Sequence, residues 1–531
     1  MKTLGRIAVS LLFILLIGLL RDTIQAQPLE QPISDPVLVE EDPAYSLNGK
    51  ASNGNDETPG EWYAGDTPTN LIADAPILLF VPGLNNAAQI FWEDNDMYQT
   101  AFDAGYQTAF IQLHDAGGAS ADMWDNGQLL AEKIEEIAAH FSNKPITIIA
   151  YSKGGVDAQT ALTYYGAGQY VENVITLSSP HHGSQLADLA DSSWAGWLAD
   201  LIGAQGEGTS AMETGYMAYF RSITDAEPTA SAHDYYTIGG TNWGSMFSST
   251  WFGGMYLNSY GDNDGVVTTS SSQLPVGQLL EIGNWNHTTV RSGATFSIFE
   301  EVITGTSMSR LTQNIPIYEE AIKANEAPNQ WVTGGELENG TEEKVSLFVD
   351  ETIQQASLEL LTAEPLSSIE LTDPSGKTVE VKPKVTDSKE GYFINAIAHH
   401  FSLEDLQVGK WELRLKSAQA NAYLLIADYD EKAFVTVSAE NLVETSHIPF
   451  AVLTDPTYVK AETVKATYYV KESGAAPERI TTYENKTSLS QTIPLQKKNQ
   501  SYVITTEVEG TTKQGNTFKR TFINSVYRAT R

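Results

Sequence analysis

The sequence predicts an α/β domain on a mostly parallel sheet, followed by two β-sandwich modules. Three observations carry that expectation. Continuous apolar runs alternate with helical patterns from residue 76 onward, and after residue 340 the pattern switches to period two. Residues 27–309 hold six basic residues against 35 acidic ones, whereas residues 310–531 hold 23 against 31. Such an asymmetry marks a boundary near residue 310. A length of 531 residues suits about three domains. The net charge of −35 repels phosphate backbones, so no nucleic-acid partner is expected. The chain has no Cys, which excludes disulfides, a Cys nucleophile, thiolate metal sites and lipidation at cysteine.

Lys2 and Arg6 precede an apolar run from Ile7 to Leu20, and Ile24-Gln25-Ala26 ends on a small residue. This is the layout of a secretory signal peptide, and a run of 14 residues is short for a membrane span. Residues 1–26 are therefore expected to direct secretion, as from a bacterial cell that does not rely on disulfides. Residues 27–75, rich in Pro, Asp, Asn and Gly, are expected to form a loosely ordered N-terminal arm.

Ile77 to Val81 is continuously apolar, as a strand buried on both faces would be. Similar runs recur at 109–113, 146–150, 174–177 and 235–238. Between them Leu129, Leu130, Ile134, Ile137 and Ala138 repeat at helix spacing, and 156–164 is helix-compatible. These elements define an α/β domain over 76–325, with a linker over 326–339. Beyond it Val345, Leu347 and Val349, then Trp411, Leu413 and Leu415, alternate with polar residues. Two Ig-like β-sandwich domains are expected, at 340–430 and 431–531.

The segment Ile148-Ile149-Ala150-Tyr151-Ser152-Lys153-Gly154-Gly155 ends a buried strand in a small-x-Ser-x-Gly turn and opens a helix. A nucleophile elbow needs this arrangement, because the strained serine turn tolerates only small neighbours two positions away. Asp264, in Asp262-Asn263-Asp264-Gly265, is the expected acid; Asp262 is its rival, and the Asp-Gly turn favours Asp264. His287, closing Asn284-Trp285-Asn286-His287, is the expected base. The order Ser152, Asp264, His287 is that of the α/β-hydrolases. His287 would take the Ser152 proton while Asp264 orients the imidazole. An oxyanion hole needs two backbone N–H groups. Lys153, after the nucleophile, and Leu84, in the Pro82-Gly83-Leu84 loop, are the candidates.

With these pieces in place the region 76–300 resembles the secreted bacterial true lipases of the α/β-hydrolase superfamily. The resemblance rests on Phe80-Val81-Pro82-Gly83-Leu84, Ala150-Tyr151-Ser152-Lys153-Gly154-Gly155, Ser178-Ser179-Pro180-His181-His182-Gly183, Asn263-Asp264-Gly265-Val266-Val267 and Asn284-Trp285-Asn286-His287. Ala before the serine turn is the variant seen in Bacillus-type lipases. The resemblance implies a carboxylic ester hydrolase acting through an acyl-enzyme on Ser152, without a cofactor. Two departures stand out. Pro82-Gly83 replaces the usual His-Gly, and Thr289 occupies the place of an acid that binds calcium in larger relatives, so no metal site is carried over.

Residues 184–232 form a long insertion. Trp194, Trp197, Leu198 and Leu201 lie at helix spacing there and suggest a lid that shapes an acyl pocket for a lipid or polyester substrate at an interface. A second apolar stretch includes Trp243, Met246, Phe247, Trp251 and Phe252. His181 and His182 read as a structural loop near the cleft. The Lys153 side chain is expected to point away from the nucleophile, and Asp157 to be a surface or packing residue. The tail could bind an insoluble substrate or the cell envelope. An extracellular polyester depolymerase of the polyhydroxybutyrate type, or a non-catalytic envelope-binding protein, are the alternatives.

Overall fold

The computed structural model describes residues 33–40, 57–117, 120–245, 248, 250–305, 328–379, 381–389, 391–429, 433–476, 480–485 and 489–530. The expected signal peptide lies outside them, as do Met246, Phe247 and the first two residues of the expected linker, 326 and 327. Residues 36–531 cluster as one unit.

Eight strands build the first sheet: β1 (Val37–Glu40), β2 (Trp62–Ala64), β3 (Ile77–Val81), β4 (Thr108–Ile111), β5 (Ile146–Tyr151), β6 (Val171–Leu177), β7 (Asp234–Gly240) and β8 (Gln278–Gly283). Their order is β1-β2-β4-β3-β5-β6-β7-β8. From β4 to β8 all neighbours are parallel, and β1 and β2 add antiparallel at the edge. Every residue of β3, β4 and β5 is buried, as expected for strands covered on both faces. Part of the N-terminal arm is thus regular structure. Trp62, 1% exposed, joins the core and anchors β2 against β4. Polar composition concealed this because only three residues of the segment pair as β2.

Helices cover both faces. Met123–His140 starts where the Asp122 side chain accepts the N–H groups of Trp124 and Asp125. Its Leu130, Ile134 and Ile137 pack on the sheet with Leu79 and Ile148. Burial of each such side chain contributes about 1.5–3 kcal/mol. Because the central strands are parallel, the loops that follow β3, β5, β6, β7 and β8 emerge at one edge, where open α/β sheets place their sites.

The tail consists of further, largely antiparallel sheets. Strands 342–349, 409–417, 366–372 and 378–379 form one, and 384–387, 397–403, 356–362, 421–429 and 330–337 form another. Leu347, Leu413, Leu360 and Leu425 share a core between these two. The strand Gln330–Leu337 falls within the expected linker, so regular structure begins before residue 340. It was illegible as a strand because Gly334 and Gly335 interrupt its apolar pattern; a Cβ on Gly334 would strike the Trp194 carbonyl oxygen. A second pair of sheets covers 435–528 around Ile448, Phe450, Tyr468 and Ile504. Among the described residues no helix is long and apolar enough to cross a membrane.

Candidate active site

Ser152 sits between β5 and the helix Gly154–Tyr164 with φ of +53°, a left-handed conformation that a non-glycine residue adopts at a cost. The turn is held by Ser152 N–H donating to the Leu177 carbonyl at 2.9 Å and Gly155 N–H donating to the Ser152 carbonyl at 3.1 Å. Crowding explains the small neighbours. A Cβ on Gly83 would lie 2.7 Å from the Ser152 Cβ, and one on Gly154 would strike the Pro82 carbonyl oxygen.

The structure brings Ser152, His287 and Asp264 into one hydrogen-bonded line. His287 Nε2 lies 3.0 Å from Ser152 Oγ, and Nδ1 lies 2.7 Å from Asp264 Oδ2. Asp264 Oδ1 accepts the N–H groups of Val266 and Val267 at 2.9 and 2.8 Å, which fixes the carboxylate. The His287 N–H donates to the Asp264 carbonyl at 2.9 Å, tying the two loops together. Asp262, the rival acid, is exposed, and the His287 Nδ1 is taken by Asp264 instead. Behind the histidine stands Tyr151, its ring centroid 5.0 Å away, with Arg291 over the tyrosine ring and donating to its hydroxyl at 2.9 Å. Sequence reasoning missed Arg291. A buried cation in a domain with few cations was the available signal.

Leu84 and Lys153 line the same small cavity as Ser152 and His287. The neighbouring Asn85 N–H is engaged by Asp115 Oδ1 at 3.2 Å. The Lys153 side chain points away from Ser152 into a buried group with Asp115 and Asp157, at 3.2 and 3.0 Å. Asp157 is thus a buried ion-pair partner, one turn along the helix. His181 is fully buried with Nε2 3.2 Å from Thr176 Oγ1, and burial holds both it and His182 well towards the neutral form. That is the behaviour of a structural loop.

The other wall of the cavity comes from the tail. Gly391, Tyr392 and Ile394 line it together with Leu84, Ser152, Val266 and His287, and the space left is about 20 Å³. That volume is close to what one water requires. Phe393 packs its ring 5.5 Å from Phe252, and the two belong to a core shared by both halves of the chain. No sequence signal pointed to 391–394, since nothing local marks which distant strand a loop will meet.

The insertion 184–232 lies against the tail. Trp194 packs on Tyr469 with centroids 5.0 Å apart, and Leu198 is buried in the shared core. Trp197 is partly buried against that core, whereas Leu201 is 54% exposed. Polar contacts fasten this junction. Lys471 Nζ lies 2.6 Å from Asp191 Oδ1, and Glu213 accepts the hydroxyls of Ser473, Ser501 and Ser525. Asp188 accepts the Thr214 N–H and hydroxyl at 2.8 and 2.7 Å, and burial pushes its carboxyl from 3.8 up to about 7. A carboxyl raised on folding holds its proton more tightly in the folded state. Its stabilisation is complete below about pH 4 and is lost as pH rises to about 7. Asp188→Asn should therefore flatten the decline of Tm between those two pH values, read by calorimetry at constant ionic strength. An unchanged slope would assign the pH dependence to other groups.

Sheet order and the strained serine turn define the α/β-hydrolase class. The PGAP1-like alpha/beta domain family matches residues 116–193. Triacylglycerol lipase 2 of Saccharomyces cerevisiae is 27% identical over 160 residues, 27% of this chain and 45% of the yeast protein. The chain thus spans less than half the length of that relative. Lipase BlEst2 of Bacillus licheniformis, solved in propeptide form, is 31% identical, with 89% of this chain and 98% of the other covered and a TM-score of 0.73. The same lipase solved in mature form is 43% identical over 46% of this chain and 99% of the other, with a TM-score of 0.44. The chain belongs to the family of α/β-hydrolase lipases that includes BlEst2.

Proposed function

We propose that this chain is a secreted bacterial serine ester hydrolase, a lipase or carboxylesterase, folded in a form that its own C-terminal modules hold closed. The observation that supports the chemistry is the line from Ser152 through His287 to Asp264, at 3.0 and 2.7 Å. In the proposed reaction His287 Nε2 takes the Ser152 proton as Oγ attacks the acyl carbonyl carbon. The tetrahedral oxyanion faces the N–H groups of Leu84 and Lys153. His287 then donates its proton to the departing alcohol, leaving an acyl-serine. Water, deprotonated by His287, releases the acid and restores the hydroxyl.

The substrate is an acyl ester of a lipid. Trp194, Trp197 and Leu198 help shape its apolar surroundings, with Leu201 at the exposed edge. The tail, read as two immunoglobulin-like sandwiches, acts as a cover: a cavity of about 20 Å³ does not admit an ester. BlEst2 is known in a propeptide form whose whole length this chain matches, which supports the same reading here.

Substrate class is tested on chain cut within 306–327. Nitrophenyl esters from two to sixteen carbons, emulsified triglyceride and a polyhydroxybutyrate film are offered in parallel. Turnover of the longer esters and of triglyceride is the expected result. Film erosion without triglyceride hydrolysis would make the enzyme a polyester depolymerase. Inactivity towards all of them, with no labelling of Ser152 by a fluorophosphonate, would remove the ester-hydrolase reading.

A further inference from the structure

An oxyanion hole built from Leu84 and Lys153 joins two loops that are distant in sequence, so their spacing must be set by something that touches both. Asp115, in the short helical turn His114–Gly117 after β4, does so. Its Oδ1 accepts the Asn85 N–H at 3.2 Å on the first loop. Its Oδ2 lies 3.2 Å from Lys153 Nζ on the second and also accepts Asn126 Nδ2. Asn85 sits at φ of +54°, in the left-handed region that Asn tolerates, and the Asp115 contact fixes its peptide there. Asp115, Asn126, Lys153 and Asp157 are each 1% exposed or less.

We infer that Asp115 is a positioning residue of the reaction, whose carboxylate sets the separation of the two oxyanion donors by bridging the Asn85 N–H and the Lys153 ammonium. This rests on the ester-hydrolase reading. The second carboxylate of the cluster supplies the contrast. Asp157 lies 3.0 Å from the same ammonium with both oxygens and accepts Asn126 Nδ2 at 3.1 Å, whereas the Asn85 N–H goes to Asp115. An amide at 157 removes a carboxylate from the same ammonium without touching the Asn85 N–H, so Asp157→Asn controls for loss of charge within the cluster. Asp115 does more. A carboxylate offers two acceptor oxygens, one for each loop, whereas an amide offers one, and its NH₂ would face either an ammonium or an N–H.

The test compares Asp115→Asn with Asp157→Asn in the full chain by amide hydrogen exchange, and in chain cut within 306–327 and diluted until the rate per molecule stops rising, by kinetics. Asp115→Asn is expected to speed exchange at Asn85 at least ~10-fold and to lower kcat ~10–100-fold, with KM changed less than ~3-fold. Asp157→Asn is expected to leave Asn85 exchange and kcat within ~3-fold of the parent, whatever it does to Tm. Equal losses of kcat in the two variants would show that the cluster acts only through the stability of Lys153, overturning the proposal. Unchanged Asn85 exchange in Asp115→Asn would overturn it as well. If the cut and diluted parent hydrolyses no ester and Ser152 takes no fluorophosphonate, the ester-hydrolase reading fails, while exchange at Asn85 still decides whether Asp115 holds the loop.

Discussion

Cutting the chain within 306–327 should raise ester hydrolysis ~100-fold or more, the gain expected when an open form populated at about 1% becomes dominant. The argument is steric. Tyr392 and Ile394 share with Ser152 a cavity of about 20 Å³, so an acyl ester reaches the nucleophile only if the tail moves. The tail is held by the core that Phe252 and Met255 share with Phe393 and Leu424, by Lys471 against Asp191, and by three serines on Glu213. While the halves are tethered, their mutual concentration is on the order of millimolar and docking persists. Once cut, the equilibrium becomes bimolecular. Activity per molecule should then climb as the sample is diluted, and added tail should reverse it. The measurement is the initial rate of a long-chain nitrophenyl ester before and after cutting, over a dilution series. A rate that neither cutting nor dilution alters would mean that the tail does not govern access.

In the cut protein, Ser152→Ala should lower kcat ~10⁶-fold and Asp264→Asn ~10⁴-fold. The difference has a structural basis. Ser152 supplies the atom that would be acylated, and nothing else described in the cavity replaces it. Asp264 acts through the imidazole. Its Oδ2 lies 2.7 Å from His287 Nδ1, and an amide there would donate rather than accept, favouring the wrong tautomer. Because Asp264 Oδ1 also accepts Val266 and Val267 N–H, Asp264→Asn should retain the loop and lose orientation of the base. Single-turnover acylation with the two variants separates chemistry from binding. Loss of the same size in both would point to collapse of the loop, and Asp262→Asn should change neither rate nor Tm appreciably.

How much of the site was readable in advance depends on how local each constraint is. The serine turn was legible because its requirement for small residues acts within a few positions: Gly154 meets the Pro82 carbonyl and Gly83 meets Ser152. Strands 77–81 and 146–151 were legible because burial on both faces demands unbroken apolar runs. The strand Trp62–Ala64 was not, being three residues long and stabilised mainly by Trp62 reaching a core built elsewhere. Nor was Gln330–Leu337, where Gly334 is set by close approach to Trp194 and Tyr423 rather than by strand preference. The direction of the Lys153 side chain was anticipated. Its partners were not: Asp157 was expected to be a surface or packing residue, and Asp115 joins the group only through the packing of β4 beside β3.

By itself, then, the sequence determined the alternation of buried strands and amphipathic helices, the order serine, acid, histidine with Asp264 favoured over Asp262, and the change to period-two strands in the tail. These follow from periodicity and turn chemistry, which operate over a few residues. Only the tertiary structure decided that Asp264 and not Asp262 faces His287, that Asp115 reaches both Asn85 and Lys153, and that Tyr392 and Ile394 line one cavity with Ser152. Each is a meeting of segments far apart in the chain. Such meetings are selected by the total surface buried and the hydrogen bonds satisfied across the whole body, a sum that no single stretch of sequence displays.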